Sequence, residues 1–228
     1  NFRTPLTHGY LIKRYKRFLA DIRLDNGRIV TAHCTNPGSM KSCIDVYISE
    51  SAGSHRRTKY TWEMIKINDD GGINTLIPNK LSAEILQHNL IPELSGYTVI
   101  KKEVTFEDCR FDLYAENDHE KCFIEVKNVT LKNGIYACFP DAVQNEAETL
   151  ATLIKAKESG FRAVMLFVIQ RSDVEIFTPA FDIDPSYAQK LKNAYLNGVE
   201  ISPLQVKVSP IATLALDKEH YYIENGSW

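Results

Sequence analysis

The Asn-Gly pair at residues 26 and 27 gives the clearest local constraint on how this chain folds. Such a pair, here preceded by Asp25, favours the positive φ angles of a tight turn between antiparallel strands. The runs on either side, YLIKRYKRFLADIRL (10–24) and RIVTAHC (28–34), have strand character. The sequence therefore predicts a hairpin over residues 10–34, with each run forming one arm.

Short strands dominate the first 70 residues. VYIS (46–49) and KYTWEMIKI (59–67) indicate two further strands, and the connections between them contain Gly, Ser and Pro. Several short strands with no helical pattern predict a small β-barrel over residues 1–70. The turn-rich run Asp69-Asp70-Gly71-Gly72 marks the expected boundary with a second domain, residues 71–228.

Helices and strands alternate in the second domain. The predicted elements, in order, are a helix at 80–91, strands at 96–106, 110–114 and 122–126, a helix at 139–160, a strand at 162–170, a helix at 186–198 and a strand at 199–209. We expect Asp141 to cap the long helix and Gly160 to follow its end. RAVMLFVIQ (162–170) is apolar throughout, as in a strand buried on both faces. The whole chain is thus predicted as α/β (α+β), with a mixed sheet flanked by helices after the barrel.

Composition narrows the class of protein. Hydrophobic content of 44% and charged content of 25% are ordinary globular values. The sequence has no apolar run near 18 residues, so we expect a soluble protein without a membrane partner. Its five cysteines are odd in number, which favours reduced thiols and a cytoplasmic location. The chain begins at Asn1 rather than Met, and we expect a short leader to be missing.

Charge is distributed unevenly along the chain. Residues 1–68 contain 12 Lys and Arg against 5 Asp and Glu, a balance of +7. Residues 69–228 contain 15 against 24, a balance of −9. Such an asymmetry favours a polyanion-binding N-terminal half, although a merely well-solvated basic domain gives the same balance.

Two runs in the N-terminal half mix cations with aromatic residues. Cations attract phosphates and rings stack on unpaired bases, so this mixture suits a groove for single-stranded or flexible nucleic acid. In a continuous strand, alternation would place Lys13, Tyr15 and Arg17 on one face and Arg14, Lys16 and Phe18 on the other. An edge strand protected by Lys and Arg is the alternative interpretation. The candidate nucleic-acid contacts in these runs are Lys13, Arg14, Tyr15, Arg17, Arg56, Arg57 and Lys59.

The segment HCTNPGSM (33–40) raises the question of a metal loop. His33, Cys34 and Cys43 match no standard zinc spacing, and a fourth ligand is missing. A structural turn, or a loop that offers backbone N–H groups to phosphate, explains the segment better. We therefore add His33 and Asn36 to the candidate nucleic-acid contacts.

The strongest chemical candidate lies between residues 109 and 131. In FDLY and CFIEV, alternation turns Phe111, Leu113, Cys122, Ile124 and Val126 inward and leaves Asp112, Glu125 and Lys127 on the opposite face. Two carboxylates suit a hard divalent cation, and a nearby ammonium can hold a water molecule or stabilise developing charge. We therefore predict Asp112 and Glu125 as ligands of Mg²⁺ or Mn²⁺, with Lys127 catalytic. A salt-bridge network on a sheet surface is the alternative.

Several motifs together resemble the sugar fermentation stimulation protein A (SfsA) family over nearly the whole chain. They are LIKRYKRFLADI, HCTNPGSM, RRTKYTWEMI, NTLIPN, KKEVTFEDCRFD, IEVKNVTL, CFPDA and the late GVEI. The resemblance implies DNA binding, an N-terminal OB-like barrel and a C-terminal domain similar to PD-(D/E)xK nucleases. It assigns Asp112, Glu125 and Lys127 to the metal and catalytic positions of that superfamily, and Glu103 to the acidic residue of the preceding strand.

Three departures from the family pattern stand out. Cys109 replaces the usual Ser before Arg-x-Asp, and Thr35 and Pro37 are exchanged in the loop. After FPDAV, the segment 144–149 reads Gln-Asn-Glu-Ala-Glu-Thr where the family usually has a basic run. Carboxylates in place of cations beside a phosphate path should weaken binding. This member is expected to have altered substrate contacts or reduced activity.

The sequence therefore predicts a nucleic-acid-binding protein, with DNA favoured over RNA, and a Mg²⁺-dependent phosphodiester-hydrolysing site. A non-catalytic DNA-binding regulator of sugar metabolism genes on a nuclease-like scaffold is the main alternative. A protein that binds a small phosphorylated metabolite is a further one. A homo-oligomer is compatible with the sequence.

Overall fold

A computed structural model describes residues 5–36, 45–50, 58–67, 69–72, 77–144, 147–207, 215–216 and 222–223. The chain divides into two compact units. The first, the barrel unit, contains residues 1–76, 170–174 and 205–217; the second, the sheet unit, contains residues 77–169, 175–204 and 218–228. None of the helices in the described parts of the chain combines the length and apolarity needed to cross a bilayer.

Five described strands of the barrel unit form a closed barrel. They are β1 (Thr7–Tyr15), β2 (Leu19–Leu24), β3 (Ile29–His33), β4 (Asp45–Glu50) and β5 (Tyr60–Ile67), with β6 (Asp69–Gly72) added to β5. Their order is β3-β2-β1-β4-β5, and a parallel pairing of β3 with β5 closes the ring at Ala32↔Tyr60 and His33↔Thr61. The predicted small barrel is confirmed, and this order of five strands is that of an OB-fold.

The interior of the barrel is apolar. Alternate residues of β2 point inward, so Ala20, Ile22 and Leu24 are buried while the residues between them are not. The side chains that fill the core with them are Val30, Ala32, Cys34, Val46, Ile48, Tyr60, Trp62 and Ile65. Two-residue periodicity in the sequence thus accounts for the core.

The turn around Asn26-Gly27 is present, but the predicted first arm is not one strand. Residues 10–24 are divided between β1 and β2, which pair antiparallel across a turn at Lys16, Arg17 and Phe18. Lys16 and Arg17 have φ angles of +48° and +63°, which residues other than Gly, Asn and Asp rarely adopt. Because the run contains no Gly, Asn or Pro there, it shows no local turn signal. The expected alternation of residues 13–18 on two faces is therefore wrong beyond Tyr15.

Outside the five-stranded barrel, the described residues form two further sheets and three α-helices. The larger sheet has the order β15 (Ala215–Leu216), β14 (Glu200–Lys207), β12 (Arg162–Ile169), β9 (Lys121–Val129), β8 (Cys109–Glu116) and β7 (Val99–Phe106). The smaller sheet has the order β10 (Leu131–Asn133), β11 (Tyr136–Phe139), β13 (Ile176–Pro179) and β16 (Tyr222–Ile223). The helices are α1 (Ile77–Gln87), α2 (Ala147–Glu158) and α3 (Pro185–Leu196), with a 3₁₀ turn at Pro92–Leu94.

The larger sheet is built on a buried central strand. Residues 163–169 of β12 are all buried, as the continuous apolar run predicted. This strand lies parallel to β9, with Arg162 opposite Cys122 and Ile169 opposite Val129. Helix α2 packs on β12 and β8, while α1 packs on β7, β8 and β9. The mixed sheet flanked by helices is therefore confirmed.

The long helix is shorter than predicted. Phe139 ends β11, Asp141 is exposed in the turn that follows, and α2 begins at Ala147, so Asp141 does not cap it. Within residues 138–143, Cys138 and Phe139 belong to a strand end that pairs with β13, and residues 140–143 are not helical. Gly160 does follow the helix, with a φ of +86° and its amide bonded to the carbonyl oxygen of Lys157 at 3.0 Å.

Candidate functional site

Strands β8 and β9 separate where the predicted chemical residues lie. Their register runs from Glu116↔Lys121 to Leu113↔Ile124. Beyond that pair, β9 continues for five residues beside β12, from Glu125 opposite Met165 to Val129. Beyond this point the backbone N–H and C=O groups of β8 and β9 no longer bond to each other as in a regular ladder. Side chains must therefore supply their hydrogen-bond partners.

Asp112 supplies one such partner. Its Oδ2 accepts a hydrogen bond from the backbone amide of Val126 at 2.9 Å. Its Oδ1 accepts a second bond from Nδ2 of Asn79, in the first turn of α1. Each carboxylate oxygen has two lone pairs, so these two bonds orient Asp112 without using its whole acceptor capacity.

Glu125 and Lys127 form a buried ion pair two residues apart on one face of β9. Lys127 Nζ lies 2.9 Å from Glu125 Oε1, and each side chain is only 11% exposed. Removing either partner from such a site would remove this direct compensation of the other charge in a poorly solvated environment. The register therefore brings Asp112, Glu125 and Lys127 together where the strands separate, beside α1.

The side chain of Glu103 does not join Asp112, Glu125 and Lys127. It lies between the register pairs Lys102↔Leu113 and Val104↔Phe111, next to Asp112, but its φ is +54°. Its carboxylate is 68% exposed and lies 3.8 Å from the guanidinium of Arg110. Within the described residues, no group of three or more His, Cys, Asp or Glu side chains is arranged to hold a metal ion. Glu103 therefore does not complete a three-carboxylate cluster.

Buried apolar residues on the opposite face of β8 and β9 support the site. The side chains predicted to turn inward are all buried: Phe111, Leu113, Cys122, Ile124 and Val126. Burial raises the pKa of the Cys122 thiol to about 12, so this cysteine stays protonated and behaves as a small apolar residue. The position of Asp112 and Glu125 is thus set by packing on the opposite side of the two strands.

The barrel unit positions its predicted cations in different ways. Arg14 has a structural role, because its Nη2 donates to the carbonyl oxygens of Arg17 at 2.9 Å and Asn36 at 2.8 Å. Its guanidinium also lies over the ring of Trp62, 5.7 Å from the centroid. Asn36 is only 2% exposed, and its backbone carbonyl is in contact with Arg14.

Two other candidates surround a carboxylate. The Tyr15 hydroxyl donates to Asp21 Oδ1 at 2.9 Å, and Lys13 Nζ lies 3.6 Å from Asp21 Oδ2. The pKa of Asp21 is held below its usual value, chiefly by a hydrogen bond from Thr31. Lys59 forms an exposed ion pair with Glu50, which raises its pKa. Exposed pairs of this kind exchange readily with a phosphate partner.

The remaining candidates lie at the turn between β1 and β2. Arg17 is exposed and its guanidinium lies over the Phe18 ring, 5.4 Å from the centroid. Phe18 in turn stacks on His33, with the ring centroids 6.0 Å apart and the planes 24° apart. The described residues do not include Arg56, Arg57 or the loop at residues 37–44.

Sequence reasoning missed two of these participants. Asn79 lies in the motif NTLIPN, but a single asparagine thirty-three residues before Asp112 carries no local sign of contact with it. Phe18 was part of the basic-aromatic run, yet only the turn shows that it faces His33. The position of Phe18 among cations was the sequence signal that could have identified this residue as a participant.

Comparison with known proteins places the chain in a family. A family model described as the SfsA N-terminal OB domain matches residues 12–75. A second, described as the sugar fermentation stimulation protein RE domain, matches residues 76–212. Together these two models extend over most of the chain.

Similar proteins are alike over nearly their full length. A sugar fermentation stimulation protein homolog of Geotalea uraniireducens is 46% identical, over 90% of this chain and 92% of that relative. A homolog of Rhodospirillum rubrum is 42% identical, over 92% and 94%. The solved structure of Pyrococcus furiosus SfsA in complex with Ca²⁺ has a TM-score of 0.87 and 28% identity, over 96% of this chain and 97% of that one. The chain therefore belongs to the sugar fermentation stimulation protein (SfsA) family.

Proposed function

We propose that this chain binds nucleic acid, with DNA preferred over RNA, and hydrolyses phosphodiester bonds with Mg²⁺ or Mn²⁺ held at Asp112 and Glu125. One observation carries the proposal. The carboxylate of Asp112 is oriented by Asn79 and the Val126 amide beside the buried Lys127–Glu125 pair, at the point where β8 and β9 separate. The preference for DNA follows from the family resemblance.

The donor atoms fit a hard divalent cation. Mg²⁺ is usually held by one or two carboxylates, with water and substrate phosphate completing its shell, so a third acidic residue is not required. Asp112 and Glu125 supply two carboxylates, and Nδ2 of Asn79 orients the first of them by donating to Asp112 Oδ1. The solved structure of Pyrococcus furiosus SfsA is in complex with Ca²⁺, which supports the proposal that this chain binds a divalent cation. When bound, the cation would polarise the phosphate and lower the pKa of a coordinated water.

The residues of the chain itself have distinct roles in this proposal. Asp112 and Glu125 bind the cation, and the Val126 amide keeps Asp112 from turning away from it. Lys127, at 2.9 Å from Glu125, is positioned to donate to the attacking water or to a phosphate oxygen. Glu103 is assigned a lesser role as an exposed carboxylate that can hold an outer water molecule.

The barrel unit would supply the attraction for the polyanion. Residues 1–68 hold a balance of +7, against −9 for the remainder. Affinity is therefore expected to fall steeply as salt rises, because the bound cations displace counterions from the nucleic acid. The described cysteines, Cys34, Cys109, Cys122 and Cys138, are free thiols, which supports a reducing, cytoplasmic setting.

The test is incubation of the purified protein with single- and double-stranded DNA and RNA, in Mg²⁺, Mn²⁺ or EDTA. Cleavage that requires the metal and is lost in Lys127→Met supports the proposal. If the protein binds DNA and metal but does not cleave, the alternative of a non-catalytic regulator is supported. The observation that favours this alternative is that the Glu103 carboxylate is directed toward Arg110. The absence of binding to any of the four nucleic acids would reject both.

A further inference from the structure

The turn between β1 and β2 is the least expected feature of the barrel unit. Lys16 and Arg17 both have left-handed backbone conformations, with φ angles of +48° and +63°. This conformation costs a non-glycine residue of order 1 kcal/mol or more, so it persists only where the surroundings enforce it. Glycine or asparagine at these positions would relieve the cost. The chain instead has two cations there.

Arg14 is the residue that enforces this conformation. Its Nη2 donates both to the carbonyl oxygen of Arg17 and to that of Asn36, while its guanidinium lies over the buried Trp62. These contacts attach the turn to the barrel wall and to the segment after β3. The backbone amide of Cys34 also donates to the carbonyl oxygen of Phe18 at 2.9 Å. The turn is thereby fixed beside the end of β3.

Two nearly parallel aromatic rings lie at this attached turn. Phe18 and His33 lie with their ring planes 24° apart, and Phe18 remains 40% exposed. Arg17 lies over the Phe18 ring and is itself exposed, and Lys16 beside it is exposed as well. An exposed ring costs free energy in water, whereas a ring beside cations is a suitable surface for a nucleobase joined to a phosphate.

The position of Phe18 and His33 in the barrel also favours a nucleic-acid ligand. In OB-folds, oligonucleotides bind on the face of the second and third strands and at the loop between the first and second. Phe18 belongs to that loop and His33 to the third strand. Bases in a duplex are already stacked on their neighbours and hidden from such a surface, while bases in a single strand are free to stack on it.

We infer that Phe18 and His33 form a stacking site for an unpaired base, that Arg17 and Lys16 contact the adjoining phosphates, and that Arg14 is the positioning residue of this site. The ligand class is single-stranded nucleic acid. The inference rests on the proposed function and refines it, because phosphate attraction alone would not distinguish single strands from duplexes.

The test compares binding of a fluorescein-labelled dT12 strand with binding of a 12-base-pair duplex at one salt concentration. Stacking of one base contributes roughly 1–3 kcal/mol, so Phe18→Leu should weaken dT12 binding roughly 5- to 100-fold, with little change for the duplex. Phe18→Tyr, which keeps the ring, should restore most of the affinity. Phe181→Leu, the same substitution at an exposed phenylalanine (58%) of the sheet unit, is the matched control and should change neither.

The outcomes separate the inference from the function on which it rests. If the parent binds dT12 and Phe18→Leu binds it equally well, the stacking site is wrong while nucleic-acid binding stands. Equal losses for strand and duplex would also overturn it, since they would indicate a general electrostatic or folding effect. A parent that binds no nucleic acid would reject the proposed function itself. Thermal unfolding of each variant confirms that the barrel remains folded.

Discussion

Asn79 donates a side-chain hydrogen bond to Oδ1 of Asp112 and thereby joins the first turn of α1 to β8. The other carboxylate oxygen of Asp112 is bonded to the Val126 amide of β9. One side chain is thus oriented from two elements at once. Such outer partners of a metal ligand affect cation affinity without touching the cation.

We predict that Asn79→Ala lowers the affinity for Mn²⁺ about 10-fold, because Asp112 loses one of the two bonds that orient it. Titration calorimetry with Mn²⁺ on the metal-free protein measures this directly, without an activity assay. Gln87→Ala, an exposed residue in the last turn of the same helix, is the control and should leave affinity unchanged. Unchanged affinity in Asn79→Ala would separate this contact from metal binding.

We expect Glu125→Gln to lose both metal affinity and stability. Clustered carboxylates repel one another, so repulsion alone predicts that neutralising one leaves the metal-free protein as stable or more so. The buried Lys127 changes this expectation, because its ion pair with Glu125 would then be lost in a poorly solvated site. The free energy of unfolding should fall by about 1–3 kcal/mol in urea titrations of the metal-free protein.

Two further variants check this reasoning. Glu84→Gln breaks the exposed pair with Lys80 on α1 and should cost no more than about 0.5 kcal/mol. Adding Lys127→Met to Glu125→Gln should recover much of the lost stability, since the buried ammonium that has lost its ion pair with Glu125 is then removed as well. A double variant that is less stable than Glu125→Gln would contradict the explanation.

Arg14 and Arg17 should differ in what they affect. Arg14→Ala removes two hydrogen bonds to backbone carbonyls and should destabilise the protein by about 1–3 kcal/mol, in addition to weakening dT12 binding. Arg17→Ala, on the exposed turn, should leave the free energy of unfolding within about 0.5 kcal/mol while reducing the salt dependence of binding by about 0.7 in the log–log slope. Equal effects on stability would show that Arg14 does not hold the turn.

Asp184 should make the stability of the sheet unit depend on pH. Its carboxylate accepts hydrogen bonds from the amides of Gln144 and Tyr187, both at 2.8 Å, and these bonds lower its pKa in the folded state. A lowered pKa stabilises the fold above the ordinary value of 3.8, and this contribution disappears as the pH falls through the folded pKa. Asp184→Asn should therefore be destabilised at pH 7, by about 1 kcal/mol, and should approach the parent below pH 3.8.

Urea titrations of both proteins at pH 7 and in this acidic range provide the measurement. Asp182→Asn, an exposed carboxylate two residues earlier, is the matched control for the change of charge. A difference between Asp184→Asn and the parent that is the same at both pH values would rule out ionisation as its source.

Sequence periodicity and local chemistry determined much of this protein. The Asn26-Gly27 turn follows from residues that tolerate positive φ, and Gly27 has a φ of +82°. The continuous apolar run of β12 indicated its burial on both faces. Alternation alone was sufficient to place Glu125 and Lys127 on one face, where they form their ion pair. In each of these cases, a few residues close together in the sequence carry the whole pattern that predicts the structure.

Tertiary contacts decided the rest. The turn at Lys16 and Arg17 has no local signal, and it is held because Arg14 bonds the carbonyl oxygens of both Arg17 and the distant Asn36. The partner of Asp112 is Asn79, brought close by the packing of α1 rather than by sequence spacing. Such contacts join residues far apart in the chain, and their energy is realised only once the chain has folded, so local pattern does not encode them.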